Sequence, residues 1–539
     1  MEDKKDAACI ESGVTPYLTQ GEVRTVISQG EGGVKLGLQS RHLSMIALAG
    51  MIGTGLFLST GATLASAGPL GLLLGYVLMG LVTACIAYIS AELSAFLPLS
   101  GGFVRHCSLY IDKSTAMVVG WDFAYTMAVT MPAEISAATT LIGFWNPTLT
   151  PAVGITVFWV AIVIINFCPV RWYGETEYAF ALLKIALIVG LILAGLILDL
   201  GGVSGQERLG FRYWRSPYEP IIPEFTTGSA GRFLAWWNTL IAAAFAYNNV
   251  QVVATAGAET RDPRRSIPKA VKATFWRVVI FYIISVLIMG MIVPSTDPSL
   301  TANSGTAASP FVIAFNRAGV KVLPSIINAV ILTSAFSSGN SCTFLASRTL
   351  HGLALDGFAP RFMLRVNKWG VPYVCVAIAS CFGALAYLGL GTTSLQAFEW
   401  LVNLVTTAGL IAWCAICVTY LRFYVSDPTI QVRLPYRAPL QPYATWLAMV
   451  IIILILIFCG FSAFTPVWSY SAFLTNYLNI LVFIPAWIIV KLIRRDRLTK
   501  TDEMDFDEPL RSWEEEKTVD PDKIYGKLSR WERILNKVL

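Results

Sequence analysis

Apolar residues in this chain come in long blocks rather than alternating with polar ones. From Ala438 to Val490 there is no Asp, Glu, Lys or Arg, and similar charge-free stretches recur along the sequence. A helix needs roughly 20 mostly apolar residues to cross the bilayer core. The blocks predict twelve membrane-spanning helices, at about 43–66, 70–97, 115–143, 151–168, 177–199, 232–258, 273–293, 322–347, 372–390, 397–421, 442–463 and 474–493. Breaker residues punctuate them: Gly68-Pro69, Pro98 with Gly101-Gly102, Asn146-Pro147, Asp262-Pro263 and Pro294. The expected fold class is an all-α polytopic membrane protein, with lipid as the solvent of one large domain.

Composition agrees with this pattern. Of 539 residues, 55% are hydrophobic and 14% charged, with a mean hydropathy of +0.61. Soluble domains carry about 25% charge. The formal net charge of +6 is modest, and its Lys and Arg lie mainly between apolar spans. That distribution argues against nucleic-acid binding and for membrane topology. Loops and adjoining span ends alternating onto the side of the termini hold 16 Lys or Arg against six on the other side. By the positive-inside rule both tails are expected in the cytoplasm. The first forty or so residues are polar and lack an apolar core, so no cleavable leader is expected. The run Trp513-Glu514-Glu515-Glu516 in the charged tail reads as a solvated face.

The ten cysteines lie mostly inside apolar segments, where Cys acts as a small hydrophobe. Cys414-x-x-Cys417 has no second pair and no nearby His, so no metal is assigned to it. His42, His106 and His351 lie far apart and receive no ligand role. No cofactor is expected.

Two spans are chemically interrupted in their middles. The first reads Ala49-Gly50-Met51-Ile52-Gly53-Thr54-Gly55-Leu56-Phe57. Three glycines within six residues weaken a helix by roughly 1 kcal/mol each relative to Ala, and they let backbone approach a ligand closely. Close packing through small residues is the plainer account. The sixth span reads Phe245-Ala246-Tyr247-Asn248-Asn249-Val250-Gln251. Three amides within four positions are costly in lipid unless they line a water-filled or substrate-filled site. These spans stand five apart, at equivalent places in two five-helix halves, which is where an inverted-repeat transporter binds its cargo.

Ionisable groups also fall inside spans. Glu134 sits mid-span three and Lys184 in the apolar run of span five. Each reads either as a coupling or gating group or as a structural ion pair, and Lys184 also as a snorkelling residue. Glu92 and Asp122 read as interfacial or capping.

Further motifs give a family. Ser40-Arg41-His42-Leu43-Ser44-Met45-Ile46-Ala47 and Ile52-Gly53-Thr54-Gly55-Leu56-Phe57 are followed by Gly120-Trp121, Tyr173-Gly174-Glu175, Gly257-Ala258-Glu259 and Asp262-Pro263-Arg264-Arg265-Ser266-Ile267-Pro268. Thr333–Ser341, Ser347–Ala354, Gly370-Val371-Pro372-Tyr373 and Leu434-Pro435-Tyr436-Arg437-Ala438-Pro439 complete the series. In these the chain resembles the yeast amino acid transporter family of the amino acid–polyamine–organocation superfamily, over about residues 39–495.

The resemblance implies a leucine-transporter-like, five-plus-five inverted repeat with two further helices, importing amino acids with protons at the fungal plasma membrane. It divides the chain into a cytoplasmic tail 1–42, a first repeat 43–199, a second repeat 232–421, two added helices 442–493 and a second tail 494–539. Ubiquitin-ligase adaptors are candidate partners at the tails. The backbone at Ile52, Gly53, Thr54 and Gly55 is expected to hold the substrate carboxylate, since an unwound half-helix offers free N–H groups. Carbonyls around Phe245, Ala246, Tyr247 and Asn248 are expected to receive the amino group, with Asn249 and Gln251 nearby and Phe245 closing over the substrate. Lys184 matches a lysine that bridges helices one and eight near Ser337 and Ser338, filling a cation site of sodium-driven relatives. Where related permeases usually carry Gly-Thr-Glu, this chain has Asn249-Val250-Gln251. Neutral L-amino acids are the expected cargo, because helices one and six supply no carboxylate for a cationic side chain. A choline, polyamine or aminobutyrate transporter and a non-transporting amino acid sensor are the alternatives. An enzyme is not expected, because no clustered His, Asp or nucleophile motif is present.

Overall fold

The computed structural model describes residues 53–507, apart from 100, 147, 204–205, 253–262, 301–308, 427–433, 466 and 505, together with Arg511. Ile52 and the helical run expected at 43–52 lie outside the described residues, as do Trp513–Glu516. Among the described residues the chain is helical, with no strand. A short 3-10 turn at Thr54–Leu56 leads into α1 (Ser59–Phe96), followed by α2 (Phe103–Tyr110), α3 (Lys113–Ile142), α4 (Pro151–Phe167), α5 (Val170–Asp199) and α6 (Gly228–Ala246). The second half comprises α7 (Pro263–Ile292), α8 (Pro310–Arg317), α9 (Leu323–Leu355), α10 (Tyr373–Cys381, continued as 3-10 to Leu390), α11 (Ser394–Ser426), α12 (Tyr443–Phe458) and α13 (Tyr470–Arg494).

Among the described residues, six helical stretches are long and apolar enough to cross a membrane: Thr54–Phe96, Trp172–Asp199, Tyr373–Leu390, Ser394–Ser426, Tyr443–Ala463 and Tyr470–Arg494. The first contains the expected boundary between two spans. At Gly68 the backbone turns to φ +76° before Pro69, and a Cβ there would lie 2.7 Å from the Pro220 carbonyl oxygen, so only glycine fits.

The less apolar helices α3 and α9 lie inside. They pack on each other, and α3 also packs along α11, while α1 packs on α6 and α7. Their Ser, Thr and Asn side chains are buried and largely bonded to carbonyls one turn back or to a neighbouring helix. Asn328 of α9 donates to the Leu141 carbonyl of α3 at 2.9 Å, and Asn166 of α4 donates to Asn340 of α9 at 2.8 Å. Such cross-helix bonds hold bundles together where lipid supplies no hydrophobic drive between helices.

Two acidic residues differ from their expected roles. Asp122 lies well inside α3, fully buried, and neither carboxylate oxygen has a protein partner among the described residues. It neither caps nor borders the helix. The cap of α3 is Asp112, which accepts from the Thr115 N–H at 2.7 Å and pairs with Lys491 of α13 at 2.6 Å. Glu92 is also buried and works as a latch, accepting from the Ala438 N–H at 2.6 Å and the Tyr420 hydroxyl at 3.0 Å. It fixes the segment before α12 to the end of α1. Beyond α13, the chain folds back across this end: the Thr499 N–H donates to the Ile111 carbonyl, and Phe506 stacks against Tyr110.

Candidate functional site

Two stretches of non-helical backbone meet at the centre of the bundle. In the first, Gly53 is extended (φ −108°, ψ −157°) and one 3-10 turn follows before the chain enters α1. In the second, α6 stops at Ala246 and residues 247–251 form turns. Asparagine competes with the helix by bonding to nearby backbone, and Asn248 Oδ1 accepts from the Asn249 N–H at 2.9 Å. Asn249 has φ +69°. Glycine takes that left-handed region freely, and asparagine is among the residues best able to replace it there. Asn249 thus holds a left-handed turn of the kind glycine takes most easily.

The breaks are in direct contact. A Cβ on Gly55 would come within 2.9 Å of both Ala246 Cα and Phe245 Cδ1. The Tyr282 hydroxyl donates to the Ala246 carbonyl at 3.2 Å, and Tyr76 donates to the Gly55 carbonyl at 3.4 Å. Tyr76, Tyr247 and Tyr282 form a buried aromatic cluster behind the junction. Phe245 is buried with its ring edge-on to Phe398 of α11. Gln251 accepts from the Trp413 indole N–H at 3.0 Å, so its amide ties the turn to α11.

Glu134 of α3 stands against the first break. Its carboxylate accepts from the Thr54 hydroxyl at 2.8 Å and the Thr54 N–H at 3.4 Å. It also receives the Ser338 hydroxyl of α9. A Cβ on Gly53 would lie 2.5 Å from Glu134 Oε1 and 3.0 Å from Ser338 Oγ. One of the backbone donors expected to hold a substrate carboxylate, the Thr54 N–H, is therefore engaged by a carboxylate of the protein. Pro132, two residues before Glu134, removes one backbone bond from α3 at this level.

Lys184 is fully buried and interacts electrostatically with two acids, Glu177 and Glu134. Glu177 lies two turns before it on α5, on the buried stripe Tyr173, Glu177, Ala181, Lys184 and Ile188 of a helix otherwise open to lipid. Ser337 and Asn340 of α9 each donate to Glu177 at 2.7 Å. Ser337 and Ser338 thus serve different acids: the first bonds Glu177, the second Glu134. Snorkelling does not describe Lys184, whose ammonium is enclosed by α3, α5 and α9.

The chain matches the amino acid permease family over residues 42–503. The chain belongs to the amino acid permease family. It is similar to a proline-specific permease of Saccharomyces cerevisiae, 38% identical over 476 residues that cover 86% of this chain and 76% of the relative. A proline-specific permease of Emericella nidulans is 37% identical over 514 residues, 93% of each chain. A basic amino-acid permease of S. cerevisiae is 34% identical over 508 residues, 93% of this chain and 88% of that one. The protein is accordingly a polytopic membrane transporter of amino acids, not an enzyme.

Within this permease, sequence reasoning missed Glu177, Tyr76 and Tyr282. Glu177 fell at the edge of the span as drawn from hydropathy, so it looked like a boundary charge. Its signal was its spacing of seven from Lys184, which puts both on one helix face. The tyrosines were visible only as lone hydroxyls within apolar runs. His351 donates from Nδ1 to the Met363 carbonyl at 3.2 Å and stands apart from the junction.

Proposed function

We propose that this permease imports neutral L-amino acids by proton symport at the plasma membrane, through twelve spans of which the first ten form a five-plus-five inverted repeat, with both termini cytoplasmic. The observation that carries the reading is the contact of two stretches of non-helical backbone, at Gly53–Gly55 and after Ala246, with an acid and a lysine buried beside it. Irregular backbone within a bundle supplies N–H donors to a carboxylate and carbonyls to an amine. The Ala246 and Phe245 carbonyls accept one bond each, from Tyr282 and from the Asn248 N–H at 3.1 Å, which leaves each a lone pair for an ammonium group.

Glu134 supplies the coupling logic. A substrate carboxylate arriving at Thr54 meets the Glu134 carboxylate on the same donors, and two like charges cannot share them. Protonation of Glu134, or its withdrawal toward Lys184, relieves the conflict, so substrate and proton bind together. Neutral cargo follows because the two breaks contribute no carboxylate of their own, and Glu134 is already matched by Thr54, Ser338 and Lys184.

A second reading has one observation in its favour. Glu134 stands directly against Gly53, where it is placed to meet a cationic side chain, and one relative is named a basic amino-acid permease. Initial uptake of labelled L-proline, L-alanine, L-lysine and L-glutamate into a permease-deficient yeast separates the two. Faster uptake of proline or alanine with acid-stimulated rates is expected. Lysine uptake exceeding that of each neutral amino acid replaces the neutral reading by the basic one.

A further inference from the structure

The symport reading brings a proton to Glu134 but leaves its departure unexplained. A continuous set of buried polar groups leads away from that carboxyl. Thr54 and Ser338 bond Glu134, and Lys184 interacts with both Glu134 and Glu177. Glu177 is held at Oε2 by Ser337 and at Oε1 by Asn340. The Asn340 carbonyl accepts from Asn166 Nδ2 at 2.8 Å. Asn166 in turn lines a cleft with Tyr173, Phe344, Ser347 and Arg348, bounded by Val371 and Pro372. Its Oδ1 is buried with no protein partner among the described residues. This cleft lies between the start of α5 and the end of α9, the end of the bundle that the positive-inside reading puts in the cytoplasm.

We propose that Glu177 is the proton-exit carboxylate of the transport cycle, taking the proton from Glu134 by way of Lys184 and releasing it to the cleft beside Asn166. This rests on the symport reading given above. The transfer balances. The Lys184 ammonium passes one N–H proton to the Glu177 carboxylate, and the resulting amine takes the O–H proton of Glu134. One O–H bond breaks at Glu134, one forms at Glu177, and Lys184 ends as the ammonium it began. Glu177 does not itself line the cleft, so a water entering from it past Tyr173 accepts the proton and carries it out as hydronium. The groups facing Glu177 are Lys184 and Tyr173 from α5, Ser337, Asn340, Ser341 and Cys342 from α9, and through Asn340 the Asn166 amide of α4. Glu134 lies across Lys184, and Arg348 lies beyond Tyr173 with its guanidinium 4.9 Å from the Phe344 ring. Lys184 is thus the one cation among these groups that interacts with Glu177, and it interacts with Glu134 as well. A structural clamp needs only a hydrogen-bonding group at position 177. An exit site needs an acid.

The test uses the full chain in liposomes holding a pH-sensitive dye, with labelled L-proline, L-alanine or L-lysine, whichever the wild type exchanges fastest. In Glu177→Gln, substrate-driven acidification and gradient-driven accumulation should fall at least about tenfold, as expected when a proton-transfer group is removed. Exchange of substrate at equal pH should stay within about twofold, since exchange needs no net proton release. Glu177→Asp should retain part of the coupled uptake. Undiminished acidification in Glu177→Gln overturns the proposal, and so does a parallel loss of exchange and uptake at equal protein, which marks a clamp. If Glu177→Gln fails to reconstitute, the Asp variant decides: coupled uptake lost together with exchange again means a clamp, whereas slowed coupled uptake with intact exchange supports the exit site. A wild type that moves substrate without acidification removes the symport reading itself, which a silent Glu177→Gln in an acidifying wild type does not.

Discussion

α9 and α13 are both long helices of this permease, and they invert each other's chemistry. In α9, Ser337, Ser338, Asn340, Ser341 and Thr343 are fully buried. In α13, only 17% of the best apolar window is buried, and Leu481, Ile484, Ile488 and Leu492 are exposed. Water would make such a surface untenable, whereas lipid solvates it at no cost. The contrast teaches where function can reside. Outer helices satisfy the solvent, while α3, α5 and α9 satisfy one another and the buried charges between them. Substitutions should therefore cost most where a polar network is closed and least on the lipid face.

Gly53→Val should show the largest effect. Its Cβ alone would lie 2.5 Å from Glu134 Oε1, and the branched γ-carbons have nowhere to go. Uptake should fall to background with surface expression largely kept, because the strain is local to the junction. Wild-type uptake at normal surface density would remove Gly53 from the site and erase the inner side of the comparison.

Lys184→Met comes next. The stem stays, but Glu134 and Glu177 lose the ammonium between them, and an uncompensated buried carboxylate is strongly unfavourable. Initial uptake should drop at least about tenfold or lose its response to external pH. Lys184→Arg should also impair uptake, since a planar fork does not reproduce a compact ammonium. The measurement is uptake rate against external pH, normalised to surface protein. A wild-type rate and profile in Lys184→Met would reduce the lysine to packing.

How much of this was legible in the sequence follows from the range of each interaction. The helical class, the non-helical backbone at Gly53 and after Ala246, and the two charges within apolar runs, Glu134 and Lys184, were readable because hydropathy and propensity are local properties. The meeting of Thr54 with Glu134, 80 positions apart, was not. Nor was the contact of Glu177 with Ser337, separated by 160. Asp122 and Glu92 were misjudged for a related reason. Nearness to a span end suggested solvent, but α11 and the segment before α12 close over that end and bury Glu92. An amide at Gln251 in mid-membrane needs a partner, and one partner is Trp413, 162 positions away, which no local property of the sequence could place.

The smallest effects sharpen the outer side of the comparison. Asn479 is a buried polar residue of α13, and its Nδ2 donates to the Leu404 carbonyl at 2.5 Å and to the Thr407 hydroxyl at 2.8 Å on α11. Cross-helix bonds in membranes average about 0.6 kcal/mol each, so Asn479→Leu should destabilise the purified protein by roughly 1 kcal/mol. Leu481, two residues further along and therefore on the opposite face of the helix, is 53% exposed, and Leu481→Ala should stay within about 0.5 kcal/mol because lipid replaces the lost contact. Thermal unfolding in one detergent compares the pair, with transport measured alongside. Asn479→Leu should melt lower by a few degrees with near-normal uptake, since α13 packs mainly on α11 and α3 rather than on the junction itself among the described residues. Equal melting for the two variants would mean that α13 is held by apolar contact alone. A loss of uptake in Asn479→Leu comparable to that in Lys184→Met would show that α11 moves with its outer neighbour during transport, and the division between a working interior and a solvating exterior would fail at that helix.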